Sequence, residues 1–277
     1  MISRIAPTPS GFLHLGNALN FVITWLEVRK AGGKLRLRID DLDPLRCRTE
    51  YLDDIFETLE WMKLPWDLGP RSTEDHRLHY SQDLRRERYL EAVRFLLDRE
   101  LAFVCNCSRL SLKAKPCRCR LERYAFNPKS SVVRVSGSEG KIELGDFPIW
   151  RREGIPAYQM VSLLDDLDHG VDCIVRGEDL RPSTEAQIYL ASLFGSAFGA
   201  DRFSKVRFIH HPLIRGTGGR KLSKSDRADG LRNRAPKDGN AEGLYRELSQ
   251  AIGLPALARS LEEMLFISGG SREDSHR

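Results

Sequence analysis

Apolar positions along this chain come in short blocks whose period changes from block to block. Residues 2 to 6 read as a brief buried strand, and Pro7 to Gly11, with two prolines and a glycine, is a turn-rich break. From Leu15 onward, Ala18, Leu19, Val22, Ile23 and Leu26 recur at helical spacing until Gly32-Gly33 stops them. Leu35, Leu37 and Ile39 then alternate with basic residues, as in a strand. Strand, helix and strand over about 40 residues make a βαβ unit, and hence a parallel sheet.

The same reading continues downstream. Thr49 is a plausible N-cap for a helix carrying Ile55, Phe56, Leu59 and Met62, and a second long helix fits Ser81 to Glu100. Residues 130 to 150 suggest short antiparallel strands with glycine turns. A helix-like stretch leads from Ile155 to Asp165-Asp166; then come a strand at 171–175, a helix at 182–194 and a strand at 206–210. Thr217-Gly218-Gly219 reads as a tight turn, the last stretch as one or two amphipathic helices, and residues 268 to 277 as a frayed tail. The pattern predicts an α/β doubly wound parallel sheet.

Composition bounds the picture without choosing a function. The 277 residues, 41% hydrophobic and 30% charged, are ordinary for a globular protein. The opening Met-Ile-Ser-Arg-Ile lacks the apolar run of a signal peptide, and no stretch approaches the ~18 apolar residues of a membrane span. A cytoplasmic protein without a membrane partner is expected. The net charge of +5 is mild, but its distribution is not uniform. Residues 105 to 134 carry eight Lys or Arg against Glu122 alone, and residues 205 to 237 carry ten against two acids. Such segments suit a polyanion or are simply solvated loops.

Two short motifs add chemistry. His14-Leu15-Gly16-Asn17 opens the first helix, where free N–H groups and the positive helix end suit a phosphate. Gly11 and Gly16 let a nucleotide approach the backbone, and the His14 imidazole can donate to phosphate oxygens. Far along the chain, Lys221-Leu222-Ser223-Lys224-Ser225 follows a glycine turn; a lysine loop of this kind can close over a triphosphate. Either motif alone reads more readily as a surface histidine with turn glycines or as a basic exposed loop.

Of six cysteines, Cys47 and Cys173 are isolated, and small inert core residues are the expectation for them. Cys105, Cys107, Cys117 and Cys119 are spaced C-x-C, nine residues, C-x-C. Four thiolates this close suit one tetrahedral, structural zinc, with no open position for water. The alternative is four free thiols or a redox pair in a basic loop.

The segment from Arg4 to Asn17, Arg-Ile-Ala-Pro-Thr-Pro-Ser-Gly-Phe-Leu-His-Leu-Gly-Asn, resembles the opening of glutamyl-tRNA synthetases, which are class I aminoacyl-tRNA synthetases. Gly32 to Asp43 looks like their next block. Gly154-Ile-Pro-Ala-Tyr158-Gln159, Asp165-Asp166 and Val175-Arg176-Gly177-Glu178-Asp179-Leu180 look like the third, and the lysine motif like the fourth. Four blocks in order over residues 4 to about 225 are far more specific than any one motif.

The resemblance implies a Rossmann-like class I core that activates L-glutamate with ATP and Mg²⁺ and passes the acyl group to tRNA. It implies His14 and Lys224 as catalytic residues. Gly11, His14, Gly16, Asn17, Lys221, Ser223 and Lys224 would bind ATP. Arg4, Ala6, Thr8, Asp40, Tyr158 and Arg176 would line the glutamate pocket. The chemistry agrees, since arginine recognises carboxylates bidentately and an acid suits an ammonium. The family has Glu where this chain has Asp40, and His where it has Asn17. The relatives also place a zinc-binding insertion at the cysteine cluster, often with Cys, Cys, Tyr and Cys as ligands; here Cys117 would take the tyrosine's place.

The expected layout is residues 1–100 as the first half of the core, 101–150 as a zinc-bearing α+β insertion, 151–230 as the second half with the lysine loop, and 231–277 as a short helical tail. Only 52 residues follow Ser225, which predicts no anticodon-binding domain. That layout resembles a shortened branch of the family that attaches glutamate to queuosine at the wobble position of tRNA(Asp). The open alternatives are a minimal enzyme charging tRNA(Glu) or another acceptor, and a non-catalytic RNA- or nucleotide-binding relative. A monomer is expected.

Overall fold

The computed structural model describes residues 1–114, 117–137, 142–213, 230–233 and 239–270. They fall into two compact units: residues 1–82, 173–178 and 207–277 form the first, and residues 83–172 and 179–206 the second.

The first unit opens with β1 (Ile2–Ile5), α1 (Leu15–Lys30) and β2 (Lys34–Leu37). β1 and β2 pair in parallel from Ile2 opposite Lys34 to Ile5 opposite Leu37, as the βαβ reading requires. The turn between α1 and β2 needs its glycines. Gly32 sits at φ +59, and a Cβ on Gly33 would lie 2.4 Å from the Met1 carbonyl oxygen. α2 (Thr49–Trp61) follows. Its N-cap is Arg48 rather than Thr49, which is the first helical residue; Arg48 supplies no capping side-chain bond. A three-residue α3 (Thr73–Asp75) and a wide π-type turn at His76–Tyr80 come next, and the helix expected from Ser81 opens instead with a 3₁₀ turn at Gln82–Arg85.

The second unit begins with the regular helix α4 (Arg86–Asp98), then β3 (Ala102–Cys105), α5 (Arg109–Ala114) and α6 (Cys119–Glu122). β4 (Val132–Val135) and β5 (Phe147–Trp150) complete an antiparallel sheet of order β3-β4-β5. α7 (Tyr158–Asp168) leads to β6 (Cys173–Gly177), which lies in the first unit, and α8 (Arg181–Phe194) returns to the second. β7 (Arg207–His211), α9 (Glu242–Ala251) and α10 (Leu261–Gly270) belong to the first unit. β6 and β7 pair in parallel, Cys173 opposite Arg207 through Gly177 opposite His211, and β1 lies beside β6.

One apolar cluster unites the first unit. Ile5, Leu35 and Leu37 pack with Ala18, Val22 and Leu26 of α1, Ile55 and Leu59 of α2, and Leu244, Leu248, Leu261 and Met264 of the C-terminal helices. Each Val, Leu, Ile or Met side chain among them contributes about 1.5–3 kcal/mol when fully buried. The last two helices thus share the core of the strand-bearing unit. The Thr217–Gly219 turn and the end of the expected frayed tail lie outside the described residues. Among the described residues no helix is long and apolar enough to cross a membrane.

Candidate active site and metal centre

The first motif is built around the start of α1. His14 is the N-cap in an extended conformation, and its Nδ1 accepts the Gly16 N–H at 3.1 Å. A neutral ring that accepts at Nδ1 carries its proton on Nε2. The Asn17 side-chain oxygen accepts the His14 N–H at 3.0 Å, so Asn17 closes a capping box at this turn. A Cβ on Gly16 would come within 3.1 Å of the His14 ring, whereas one on Gly11 would meet nothing within 4 Å.

The preceding loop is anchored on several sides. The Leu13 N–H donates to the buried Asp54 carboxylate at 2.9 Å, and Leu231 N–H donates to the Leu13 carbonyl at 2.8 Å. Asp40 N–H and Arg48 N–H donate to the carbonyls of Pro7 and Pro9. The backbone from Pro7 to Gly16 is therefore held by groups that the periodicity of the chain does not reveal.

The acids after β2 are also held in place. Asp40, whose side chain is 13% exposed, accepts Arg38 Nε at 2.7 Å and Gln82 Nε2 at 3.0 Å on Oδ1, and Arg38 Nη2 on Oδ2 at 3.4 Å. Asp41 bonds to His76 Nε2 at 2.8 Å and accepts Ser81 Oγ at 2.7 Å and the Gln82 N–H at 2.9 Å. Burial pushes the Asp41 carboxyl up, but these hydrogen bonds more than offset it and hold it below the usual carboxylate value. His76, Ser81 and Gln82 were missed by the sequence reading. Ser81 and Gln82 open the helix expected there and His76 precedes it, so no local pattern pointed to them.

Arg4 and Arg176 are 4% and 2% exposed. Arg4 Nη1 donates to the Val175 carbonyl at 3.5 Å, next to Arg176 in sequence. The Arg176 guanidinium lies 5.6 Å from the centre of the Phe208 ring on the neighbouring strand. Asn20 of α1 bonds the same Val175 carbonyl, tying the motif helix to β6.

The first unit thus gathers Arg4, Ala6, Thr8, Gly11, His14, Gly16, Asn17, Asp40 and Arg176. Thr8 is exposed. Tyr158 belongs to the second unit, where it begins α7 and is 42% exposed. Lys221, Ser223 and Lys224 lie outside the described residues. Asp165 serves packing: fully buried, it accepts Arg85 Nε at 2.9 Å and Tyr89 Oη at 2.8 Å. Asp168 takes Arg85 Nη2 at 2.6 Å and Arg88, so the acids at the end of α7 join it to the start of α4.

The four clustered cysteines converge in the second unit. Cys105 ends β3, Cys119 begins α6, and both are buried against Phe103, with Cys107 and Cys117 at the rim. Their Sγ atoms all lie within 4.8 Å of one another, and three pairs measure 3.6, 3.8 and 3.6 Å. Four sulfurs at about 2.3 Å from a tetrahedral zinc stand about 3.8 Å apart. A disulfide would need about 2.0 Å, and all four cysteines are free. The donor set fits a structural zinc. Burial pushes the Cys117 thiol up to about 12, so ionising it here calls for a compensating cation.

A family profile described as tRNA synthetases class I (E and Q), catalytic domain, matches residues 1–134. A Pseudomonas entomophila protein named glutamyl-Q tRNA(Asp) synthetase is 38% identical over 248 residues, covering 83% of this chain and 79% of that protein. A Pseudomonas aeruginosa protein of the same name is 36% identical over 270 residues, covering 91% and 85%. The glutamate tRNA ligase of Elizabethkingia meningosepticum, solved in complex with its amino acid, superposes with a TM-score of 0.67 at 21% identity. That match covers 96% of this chain and 64% of the ligase chain, and it establishes the fold. With the motif helix, the parallel strands and these relatives, the chain belongs to the class I tRNA synthetases, as a ligase-type enzyme of the group whose curated members are named glutamyl-Q tRNA(Asp) synthetase.

Proposed function

We propose that this protein uses ATP to activate L-glutamate as glutamyl-adenylate and transfers the glutamyl group to queuosine at the wobble position of tRNA(Asp). The observation that carries this reading is the likeness to proteins of that name over 83–91% of the chain. In the reaction, an α-carboxylate oxygen of glutamate attacks the α-phosphorus of ATP and pyrophosphate leaves. A hydroxyl of the acceptor nucleoside then takes the acyl group and releases AMP. Binding and charge stabilisation carry such a reaction, and no enzyme nucleophile is needed.

In this reading Arg4 and Arg176 hold the substrate's side-chain carboxylate, Asp40 holds its ammonium, Ala6 and Thr8 line the pocket, and the family resemblance assigns Tyr158 to the glutamate as well. His14 offers its Nε2 proton to the phosphates. Gly11, Gly16 and Asn17 shape the backbone beneath them, and Lys221, Ser223 and Lys224 cover the triphosphate. Mg²⁺ would accompany ATP and neutralise phosphate charge. A zinc on Cys105, Cys107, Cys117 and Cys119 would brace the basic insertion. The short reach of Asp40 relative to the family glutamate makes its clamp important. Gln82→Leu removes one donor to that carboxylate, a hydrogen bond to a charged group worth about 1.5 kcal/mol. The KM for glutamate in ATP–pyrophosphate exchange should rise roughly tenfold, with little change in the KM for ATP; a parallel rise in both would remove Gln82 from this role.

The acceptor decides between the remaining readings. Labelled glutamate, ATP and Mg²⁺ should be offered to total tRNA from cells with and without queuosine. Label confined to the queuosine-containing tRNA is the expected result. Label on tRNA(Glu) regardless of queuosine would make this a minimal glutamyl-tRNA synthetase. No label, with no glutamate-dependent exchange, would support a binding protein.

A further inference from the structure

Asp40 and Asp41 are neighbours in sequence and meet one short segment in two different ways. Asp41 holds its backbone and its turn. Its Oδ1 accepts the Gln82 N–H at 2.9 Å, and its Oδ2 lies 2.8 Å from His76 Nε2 and accepts Ser81 Oγ at 2.7 Å. The Ser81 N–H in turn donates to the His76 carbonyl at 2.8 Å and closes the wide turn between them. Gln82, fixed at its own N–H, sends its side-chain Nε2 to Asp40 Oδ1 at 3.0 Å. A line of hydrogen bonds thus runs from His76 through Asp41 and Gln82 to Asp40, all within the first unit. Arg38, two residues before Asp40, moves with it, whereas Gln82 comes from a separate segment and ties the carboxylate to the rest of the unit.

The His76 ring is fully buried, yet its Nδ1 is shielded from solvent without a hydrogen-bond partner among the described residues. An unpaired buried polar atom costs stability, so packing alone would favour an apolar side chain at this position. What an apolar side chain lacks is the Nε2 donor. An ionised Asp41 only accepts, so His76 Nε2 carries the proton between them. We propose that His76 and Asp41 are positioning residues for the amino-acid site: by holding the Gln82 backbone they set where its amide meets Asp40, and so where that carboxylate stands for the substrate's ammonium. This rests on the reading above that Asp40 holds the ammonium. A misplacement of about 1 Å in such a group is enough to cost roughly a hundredfold in rate.

The full chain should be compared with His76→Leu, His76→Gln, Gln82→Leu and the double variant of His76→Leu with Gln82→Leu in ATP–pyrophosphate exchange, varying glutamate and ATP separately. His76→Leu should raise the KM for glutamate about threefold to tenfold, within what one hydrogen bond is worth, and leave the KM for ATP within about twofold of the parent. His76→Gln, whose amide nitrogen can stand where Nε2 does, should recover most of the loss. The double variant should be no worse than Gln82→Leu alone, because a residue that acts only through Gln82 has no effect once that amide is gone. A side chain that merely supports the fold would give additive losses and would raise both KM values, and either result would overturn the proposal. So would a His76→Leu variant with an unchanged KM for glutamate beside a Gln82→Leu variant that loses it. If His76→Leu does not fold, Asp41→Asn takes its place in the same cycle with the same expected non-additivity. A Gln82→Leu variant with parental glutamate use would instead sink the Asp40 reading itself, and this inference with it.

Discussion

Cys119→Ser should abolish the zinc binding proposed for the four cysteines and loosen the segment that carries them. Cys119 is 7% exposed, opens α6, and packs with Phe103 and Cys105 in a cluster that contains few other apolar groups. The β3-β4-β5 sheet beside it has only four-residue strands, and its buried side chains such as Val133, Val135, Ile149 and Trp150 leave the loop between Cys105 and Cys119 to be tied by a metal link. Structural zinc contributes about 10–16 kcal/mol in small zinc-dependent modules. The loss here should be smaller because β4 and β5 remain, yet it should exceed any single apolar truncation in this unit. Metal analysis of the parent protein should find about one zinc per chain, and the variant should hold almost none. Protease should then cut the variant first between residues 105 and 130. A parent protein purified without zinc, and unable to bind it when supplied, would show that the thiols are not a metal centre.

The second large effect is expected at Arg176. Arg176→Ala should raise the KM for glutamate roughly 30-fold or more while leaving the KM for ATP nearly unchanged. The side chain is 2% exposed on β6, and its guanidinium lies 5.6 Å from the centre of the Phe208 ring on the paired strand β7. Removing one partner of a buried, hydrogen-bonded charge pair costs about 2–5 kcal/mol, which corresponds to roughly 30-fold to several-thousand-fold in binding. ATP–pyrophosphate exchange over a wide range of glutamate concentration measures this directly. A circular dichroism spectrum matching the parent separates lost binding from lost folding. An unchanged glutamate requirement would place Arg176 outside the pocket.

The strength of the local patterns decided how much was legible in advance. α1 and its flanking strands were readable because their apolar residues keep one period and end at glycines. The cysteine cluster was readable because two C-x-C pairs so near in sequence are a recognised zinc-ligand spacing, which the packing of Cys105 on β3 against Cys119 on α6 brings together. The segment from Thr73 to Arg85 was not. Its polar residues answer to Asp40 and Asp41, more than 30 positions earlier, and no local period records such a partner. Asn17 was ambiguous for a similar reason: its backbone-capping role depends on where helix α1 begins.

The amino-acid sequence by itself determined the α/β class, the start of the first helix, the family resemblance and the candidate zinc ligands. Each follows from residue type at short spacing, where backbone geometry leaves few choices. Only the tertiary structure decided that Asp165 is a buried packing acid held by Arg85 and Tyr89. It alone decided that Asp40 is clamped by Arg38 and Gln82, and that His76 meets Asp41. These depend on pairing between distant segments, and the cost of burying a charge becomes visible only once its neighbours are known.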